Sequence, residues 1–258
     1  MAQSASSTYE IAQVCLLAGK IMLESGGETY RVEDTMSRVA RAFGVPNSHC
    51  FVTPTGIIFS IDGPEQTTRL IRISARSTDL RKVTVVNAIS RRISQAELTA
   101  AEAYRLLEEI DASSIGYSNG LKIAAAAIAS GCFLIMYKGT WSDFLPAVVA
   151  GGVGLASLSY VHRFVPIKFF AEFLSALLIG LISLLFVMIG LGHDLDKIII
   201  GSVMPLVPGL LITNAVRDLM AGHFVSGLSK GAEASLTAFA IGAGIALVLA
   251  FYNGEGIA

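Results

Sequence analysis

Apolar positions fall into two regimes along the chain. Up to about residue 115 they recur between polar residues; beyond it they run nearly unbroken. Tyr9–Leu23 has helical spacing, with Ile11, Val14, Leu17 (or Ala18) and Ile21 on one face. Ser25-Gly26-Gly27 breaks it. Glu28–Phe43 predicts a second amphipathic helix with Val32, Met36 and Val39 inward, and Gly44-Val45-Pro46 ends it. Glu28 suits the first turn, because a helix N-terminus is partly positive. Phe51–Ile61 and Thr68–Ser74 predict two strands joined through Asp62-Gly63-Pro64, the second setting Leu70, Ile71 and Ile73 against Arg69, Arg72 and Ser74. Leu80–Ile93 and Gln95–Ile110 predict two more helices. Residues 1–117 thus read as a small cytosolic α+β domain, in the order helix-helix-strand-strand-helix-helix.

Residues 118–258 read as a transmembrane domain. About 20 apolar residues cross a bilayer core. Five segments qualify, at about 121–137, 144–161, 167–191, 196–214 and 232–251, the fourth built on Ile198–Ile212. The expected fold class is an α-helical integral membrane protein of about five transmembrane helices with an N-terminal cytosolic α+β domain.

Composition sharpens this division. The chain has 258 residues, 53% hydrophobic and 15% charged, against about 25% charged in soluble domains. Mean hydropathy is +0.64. Residues 1–117 hold 12 of the 19 Lys and Arg and 13 of the 20 Asp and Glu. Met1–Thr8 is polar and predicts no signal peptide. Net charge is −1, which gives no electrostatic basis for binding nucleic acid. Cys15, Cys50 and Cys132 are scattered singles, so neither a disulfide frame nor a zinc site is expected; all three read as buried apolar fillers.

Loop charges set an orientation. With the N-terminal domain cytosolic, His162, Arg163, Lys168, Arg217 and Lys230 fall on the cytosolic side. Of the Lys and Arg residues the other side receives only Lys138 and Lys197, with Asp143, Asp194 and Asp196. Tyr137, Trp141 and Tyr252 then share the outer interface, as an aromatic belt would. The N-terminus is expected inside and the C-terminus outside.

The candidate chemistry lies where the fourth span breaks. Met204-Pro-Leu-Val-Pro-Gly209 interrupts an apolar run, and Asn214, Arg217 and Asp218 follow. Pro205 and Pro208 each remove a backbone donor. Freed backbone groups in a membrane are tolerated only against protein or a wet cavity, and such broken helices recur at transport sites. The alternative is a proline kink before an ordinary helix end. Asn214 and Asp218 share a helix face, and Arg217 is a candidate carboxylate partner or a positive-inside anchor. His223 is a titratable candidate, or simply a hydrogen-bonded histidine. Glu172 and Glu233 are intramembrane carboxylates, functional candidates by default, or interfacial partners of Lys168 and Lys230. Ala234, Ala238, Gly242, Ala246 and Ala250 form a small-residue stripe. Such stripes bring helices close, within one bundle or between subunits, a homo-oligomer included. Glu28, Arg31 and Glu33 form either a partner-binding motif or a solvated helix face. No Walker A pattern, GxGxxG or nucleophile elbow occurs, so no catalytic residue, cofactor or metal is expected. Ser48-His49-Cys50 is too cramped for a catalytic pair, since neighbouring strand residues face opposite ways.

Gly26-Gly27-Glu28-Thr29-Tyr30-Arg31-Val32-Glu33 resembles the N-terminal signature of the threonine/serine exporter family. Asp79–Val83 with Val86–Arg91 resembles its central helix. Pro208-Gly209, Asn214, Asp218, Gly222-His223, Gly227-Leu228 and Ala232-Glu233-Ala234 resemble its C-terminal block. The similarity covers about residues 8–252. Tyr117-Ser118 departs from the family's frequent Tyr-Pro before the first span. The resemblance implies a gradient-driven, multi-pass exporter of the bacterial inner membrane. Fused family members carry a second membrane half; without it, this chain resembles the first subunit of the split, two-component type, which needs a second small membrane subunit. For the split type the resemblance implies a dicarboxylate such as succinate as substrate, for fused members threonine and serine. Two readings from other classes compete: a membrane-anchored sensor or scaffold, and a hydrolase active in the N-terminal domain.

Overall fold

The computed structural model describes residues 7–62, 67–113, 116–165 and 167–254. The side chains of Lys168 and Asn253 lie outside this description, so the expected Lys168–Glu172 pair does too, as do Gly63 and Pro64 of the expected strand connection. The chain forms two compact units. One comprises the chain up to Gly116 with Leu210–Gly231; the other comprises Tyr117–Gly209 with the chain from Ala232 onward. Residues 210–231, expected in the second half, therefore group with the first.

The first unit begins with α1 (Thr8–Glu24) and α2 (Thr29–Ala42). A capping box of Ser7 and Glu10 starts α1, satisfying orphan N–H groups of its first turn. α1 is more than amphipathic: Ile11, Val14, Cys15, Leu16, Ala18, Ile21, Met22 and Leu23 are all buried, which makes it the central helix of this core. β1 (Ser48–Thr53), β2 (Gly56–Ile61) and β3 (Thr67–Arg72) follow, in one antiparallel sheet of order β1-β2-β3. The expected single strand Phe51–Ile61 is instead a hairpin, with Thr53 opposite Gly56 across Pro54-Thr55. Proline cannot donate to a ladder, so it closes the strand. Ile57, Phe59 and Ile61 point into the core, while Ile58 is exposed, the two-residue period of a half-buried strand. α3 (Leu80–Ser94) and α4 (Ala100–Ala112) complete the N-terminal part. Thr99 and Glu102 box the start of α4, so it begins later than the expected Gln95.

The second unit holds α5 (Asn119–Met136), α6 (Phe144–Phe164), α7 (Lys168–Met188) and α8 (Leu195–Val203), with a 3-10 turn over Met204–Leu206. α9 (Gly209–Met220) begins the stretch that joins the first unit, and α10 (Phe224–Gly254) returns from it. Among the described residues, four helices are long and apolar enough to cross a membrane: Asn119–Met136, Phe144–Phe164, Phe169–Met188 and Phe224–Tyr252. A fifth is added if Leu195–Leu206 and Gly209–Met220 count as one broken span. The continuous run expected at 196–214 does not form. Val207 is extended, at φ −61° and ψ 130°, as sterics demand before Pro208. At 1.5 Å per residue, α8 with its 3-10 turn reaches only about 18 Å of a ~30 Å hydrocarbon core.

Two further expectations change. Cys15 is buried, but Cys50 is only partly so and Cys132 is exposed on α5. On α10, Ala234 is buried, yet Ala238, Gly242, Ala246 and Ala250 are exposed. The buried face of α10 in this unit is Ala234, Thr237, Ile241, Gly244 and Val248 instead. A different set of positions, large and small, supplies the intramolecular seam, and the stripe beyond Ala234 is left on the outside.

Candidate functional site

The polar groups of the first unit converge on the turn between α1 and α2. Gly26 takes φ +88°, a left-handed conformation that glycine adopts without steric cost. A Cβ at Gly27 would stand 2.9 Å from the Met22 carbonyl oxygen, so the turn is also too tight for a side chain there. The turn exposes the Gly26 carbonyl and the first N–H of α2, both without partners inside a helix.

α9 supplies those partners. Asn214, Arg217 and Asp218 stand at i, i+3 and i+4 on one side of it. Asn214 Nδ2 donates to the Gly26 carbonyl at 2.9 Å. The Thr29 N–H donates to Asp218 Oδ1 at 3.0 Å, so Asp218 caps α2 from a distant part of the chain. Lys230 Nζ, from the start of α10, donates to Asp218 Oδ2 at 2.7 Å and to Thr29 Oγ1 at 3.0 Å. Asp218 and Lys230 are almost wholly excluded from solvent, with side chains 0% and 3% exposed. Both carboxylate oxygens of Asp218 are thus occupied.

A second, more open tier surrounds Glu28. Its Oε1 accepts from Arg217 Nη1 at 2.6 Å and its Oε2 from Arg31 Nη1 at 3.1 Å. The Glu28 side chain is 8% exposed, whereas those of Arg217 and Arg31 are 55% and 41% exposed. Burial alone would raise the Glu28 carboxyl, but its backbone N–H and the guanidinium groups of Arg217 and Arg31 outweigh that and hold it below the usual range. Glu28 is therefore the hub of an ion cluster, rather than a solvated charge on a helix face. Glu33 has another role. It accepts the Val52 N–H at 2.8 Å and lies 3.7 Å from His223 Nδ1. Burial raises its carboxyl above the usual range despite the Val52 N–H and His223. Ser226 Oγ donates to the Val52 carbonyl at 3.1 Å. A cavity of about 180 Å³ opens here, lined by Phe51, Val52, Gly222, His223, Phe224, Val225 and Ser226.

The other expected residues belong to the second unit. Pro205 lies in the 3-10 turn, and Pro208 and Gly209 mark the break before α9. Glu172 is buried on α7 and Glu233 partly buried on α10. A larger cavity of about 640 Å³ has Thr140, Asp143, His193, Asp194, Asp196 and Tyr252 among its lining residues. Asp143 is fully buried there, accepting from Thr140 Oγ1 and the His193 N–H, each at 2.7 Å. Among the described residues, no cluster of three or more His, Cys, Asp or Glu could hold a metal ion.

The network thus joins Glu28, Arg31, Asn214, Arg217 and Asp218, and sets Glu33 beside His223. It also includes Gly26, Thr29 and Lys230, which sequence reasoning treated as turn, signature and topology residues. Lys230 had one visible signal, a lone base at the start of an apolar helix. It pairs with Asp218.

Comparison with known proteins gives the context. The threonine/serine exporter family model matches residues 13–252. A Mycobacterium tuberculosis protein named probable threonine/serine exporter is 23% identical over 253 residues, 97% of this chain and 48% of that one. The threonine/serine exporter of Corynebacterium glutamicum is 23% identical over 249 residues, 92% of this chain and 51% of that one. The probable succinate transporter subunit YjjP of Escherichia coli K12 is 23% identical over 255 residues, 95% of this chain and 96% of that protein. This chain therefore spans about half of the two threonine/serine exporters and nearly all of the succinate transporter subunit. No solved structure matches it significantly. These relatives are named as exporters and transporters, not as enzymes. With the family model matched along nearly its whole length and its apolar helices long enough to span a bilayer repeatedly, this chain belongs to the threonine/serine exporter family of multi-pass membrane transporters.

Proposed function

We propose that the chain is one subunit of a gradient-driven exporter of a small carboxylate, either a dicarboxylate such as succinate or the amino acids threonine and serine, and that it works with a second small membrane subunit. The observation that carries this is the coverage: almost end to end with a transporter subunit, and about half of two longer exporters. The membrane is the bacterial cytoplasmic membrane, with the N-terminus inside; the sparse bases and the aromatics Tyr137, Trp141 and Tyr252 on the opposite side support that orientation.

The Glu28 cluster supports a carboxylate as substrate. Two half-exposed guanidinium groups share one buried carboxylate. A substrate carboxylate replaces Glu28 on Arg217, where the planar fork accepts it bidentately, and Glu28 returns when the substrate leaves. Asn214, Asp218 and Lys230 hold α9 and the start of α10 against the α1–α2 turn while this exchange occurs. Pro205 and Pro208 break the chain ahead of α9, and broken helices of this kind recur at transport sites.

The test is efflux from cells with and without this chain, following external threonine, serine and succinate after loading. The expected result is slower appearance of one of them when the chain is absent. Arg217→Lys keeps the charge but loses the fork, and should lower that efflux at normal protein level. Identical efflux of all three compounds with and without the chain would refute the proposal.

A further inference from the structure

β1 is an edge strand of its sheet, and at Val52 its backbone is bound by side chains from two other elements. Glu33 of α2 accepts the Val52 N–H at 2.8 Å, and Ser226 Oγ of α10 donates to the Val52 carbonyl at 3.1 Å. Glu33 Oε1, the oxygen that accepts from Val52, also lies 3.7 Å from His223 Nδ1. The Glu33 and His223 side chains are only 21% and 25% exposed. His223 is fixed in turn by its backbone N–H, which donates to the Asp218 carbonyl at 2.8 Å. A carboxyl and an imidazole are thus held together where α2, β1 and the turn from α9 into α10 meet.

The charged groups around Glu33 act on it in opposite senses. His223 faces it from the turn after α9, Asp218 from α9 and Cys50 from β1. Asp218 is itself paired with Lys230 of α10. On α2, Arg31 pairs with Glu28 and Asp34 with Arg38; on β1, His49 pairs with Asp62. Lys20 and Glu24 of α1 and Lys82 of α3 gather around Asp111, and Arg81, Arg91 and Arg92 of α3 are exposed. Burial, and to a smaller extent Asp218, raises the Glu33 carboxyl above the usual range, against the Val52 N–H and His223. The cavity of about 180 Å³ has His223, Val52 and Ser226 in its wall. A polar-walled space of that size admits water, and water in it reaches the groups that hold Glu33.

We propose that Glu33 is the binding site of the proton that drives export, loaded from water in this cavity, with His223 as its charge partner. Its role in coupling rests on the exporter reading. Loading forms an O–H bond on Glu33 and breaks one on a hydronium ion, which becomes water. Unloading reverses both, and nothing is oxidised or reduced. Unloaded, the carboxylate attracts a protonated His223 across 3.7 Å. Loaded, it is neutral and that attraction is gone, although its carbonyl oxygen still accepts the Val52 N–H. The charge balance then changes at the turn that ends α9, five residues after Asp218 and six after Arg217, on the helix proposed to receive the substrate.

The test is infrared spectroscopy of the full chain in lipid vesicles across the acid-to-neutral range. The C=O stretch of a protonated carboxyl is assigned to Glu33 by its loss in Glu33→Gln, whose amide oxygen keeps the Val52 N–H bond. That band should persist to higher pH than those of the solvent-exposed carboxyls in the same sample. His223→Asn and His223→Gln remove the opposing positive charge and should each raise its midpoint further, by about one unit. A Glu33 band that vanishes together with the exposed carboxyls, or a midpoint unmoved in both His223 variants, overturns the site. Export driven by an imposed pH gradient, from vesicles holding this chain and its partner subunit, separates the two claims. Glu33→Gln should export without responding to the gradient, and a wild-type response in that variant overturns the coupling role while leaving the exporter reading intact. Wild-type vesicles that export none of the three compounds, with Glu33 titrating as expected, refute the exporter reading and leave the proton site standing.

Discussion

Asp218 and Lys230 are joined at 2.7 Å with almost no solvent access, so neither tolerates the loss of the other. Breaking such a pair leaves a buried charge and costs about 3–5 kcal/mol, whereas replacing both partners with apolar groups is often neutral. Asp218→Asn and Lys230→Met should each lower stability by roughly that amount, and Asp218→Leu with Lys230→Met should recover most of it. Thermal unfolding in detergent checks this; single variants within about 0.5 kcal/mol of wild type would show that the pair does not hold α9 and the start of α10 against the α1–α2 turn. Glu28 adds a pH dependence of definite sign. Its folded carboxyl lies below the usual range, so its stabilisation is present above the unfolded value of about 4.3 and is lost as pH falls through the folded one. Glu28→Gln should flatten the acid limb of a stability-versus-pH curve, and an unaltered limb would remove Glu28 from the account. The chain announces Asn214, Arg217 and Asp218 through helical spacing beside a proline break. It does not announce their partners: Thr29 is 189 residues from Asp218, and no local pattern encodes a contact that tertiary packing makes.

Among the elements, the long periodic ones are legible and the broken ones are not. α1, α2, α3 and α5 to α7 lie within a few residues of their expected bounds, because their apolar positions repeat over several turns. The β1–β2 hairpin is hidden, since Pro54-Thr55 interrupts an otherwise strand-like run. The fourth span fails as one helix because Pro208 forces Val207 out of helical geometry. α10 begins earlier than expected, at Phe224, since hydropathy locates its apolar part but not the polar turns that join the first unit. The exposed stripe on α10 leads to a prediction at this scale. A Cβ at Gly242 meets nothing within 4 Å, so Gly242→Leu should leave the chain's own fold intact and weaken association with another membrane subunit. Co-purification with a tagged partner checks it, and unchanged recovery would make the stripe a lipid-facing surface.

At the scale of the molecule, the apolar half is legible from composition, whereas the grouping of residues 210–231 with the N-terminal unit is not, because hydropathy carries no information about long-range pairing. The proposed orientation predicts that Lys138→Cys is labelled by an impermeant thiol reagent from outside the cell and Arg163→Cys only after permeabilisation. Cys132 is exposed, so both belong in a Cys132→Ser background. Labelling of position 163 but not 138 from outside would reverse the topology. The central claim is that this chain exports a small carboxylate as part of a two-subunit carrier. Its most direct test is release of radiolabelled succinate, threonine or serine from sealed vesicles containing this chain, its partner subunit, both, or neither. The account predicts gradient-dependent release of one of these compounds only from vesicles containing both proteins. Release no faster than from protein-free vesicles, or full release with this chain alone, would contradict it.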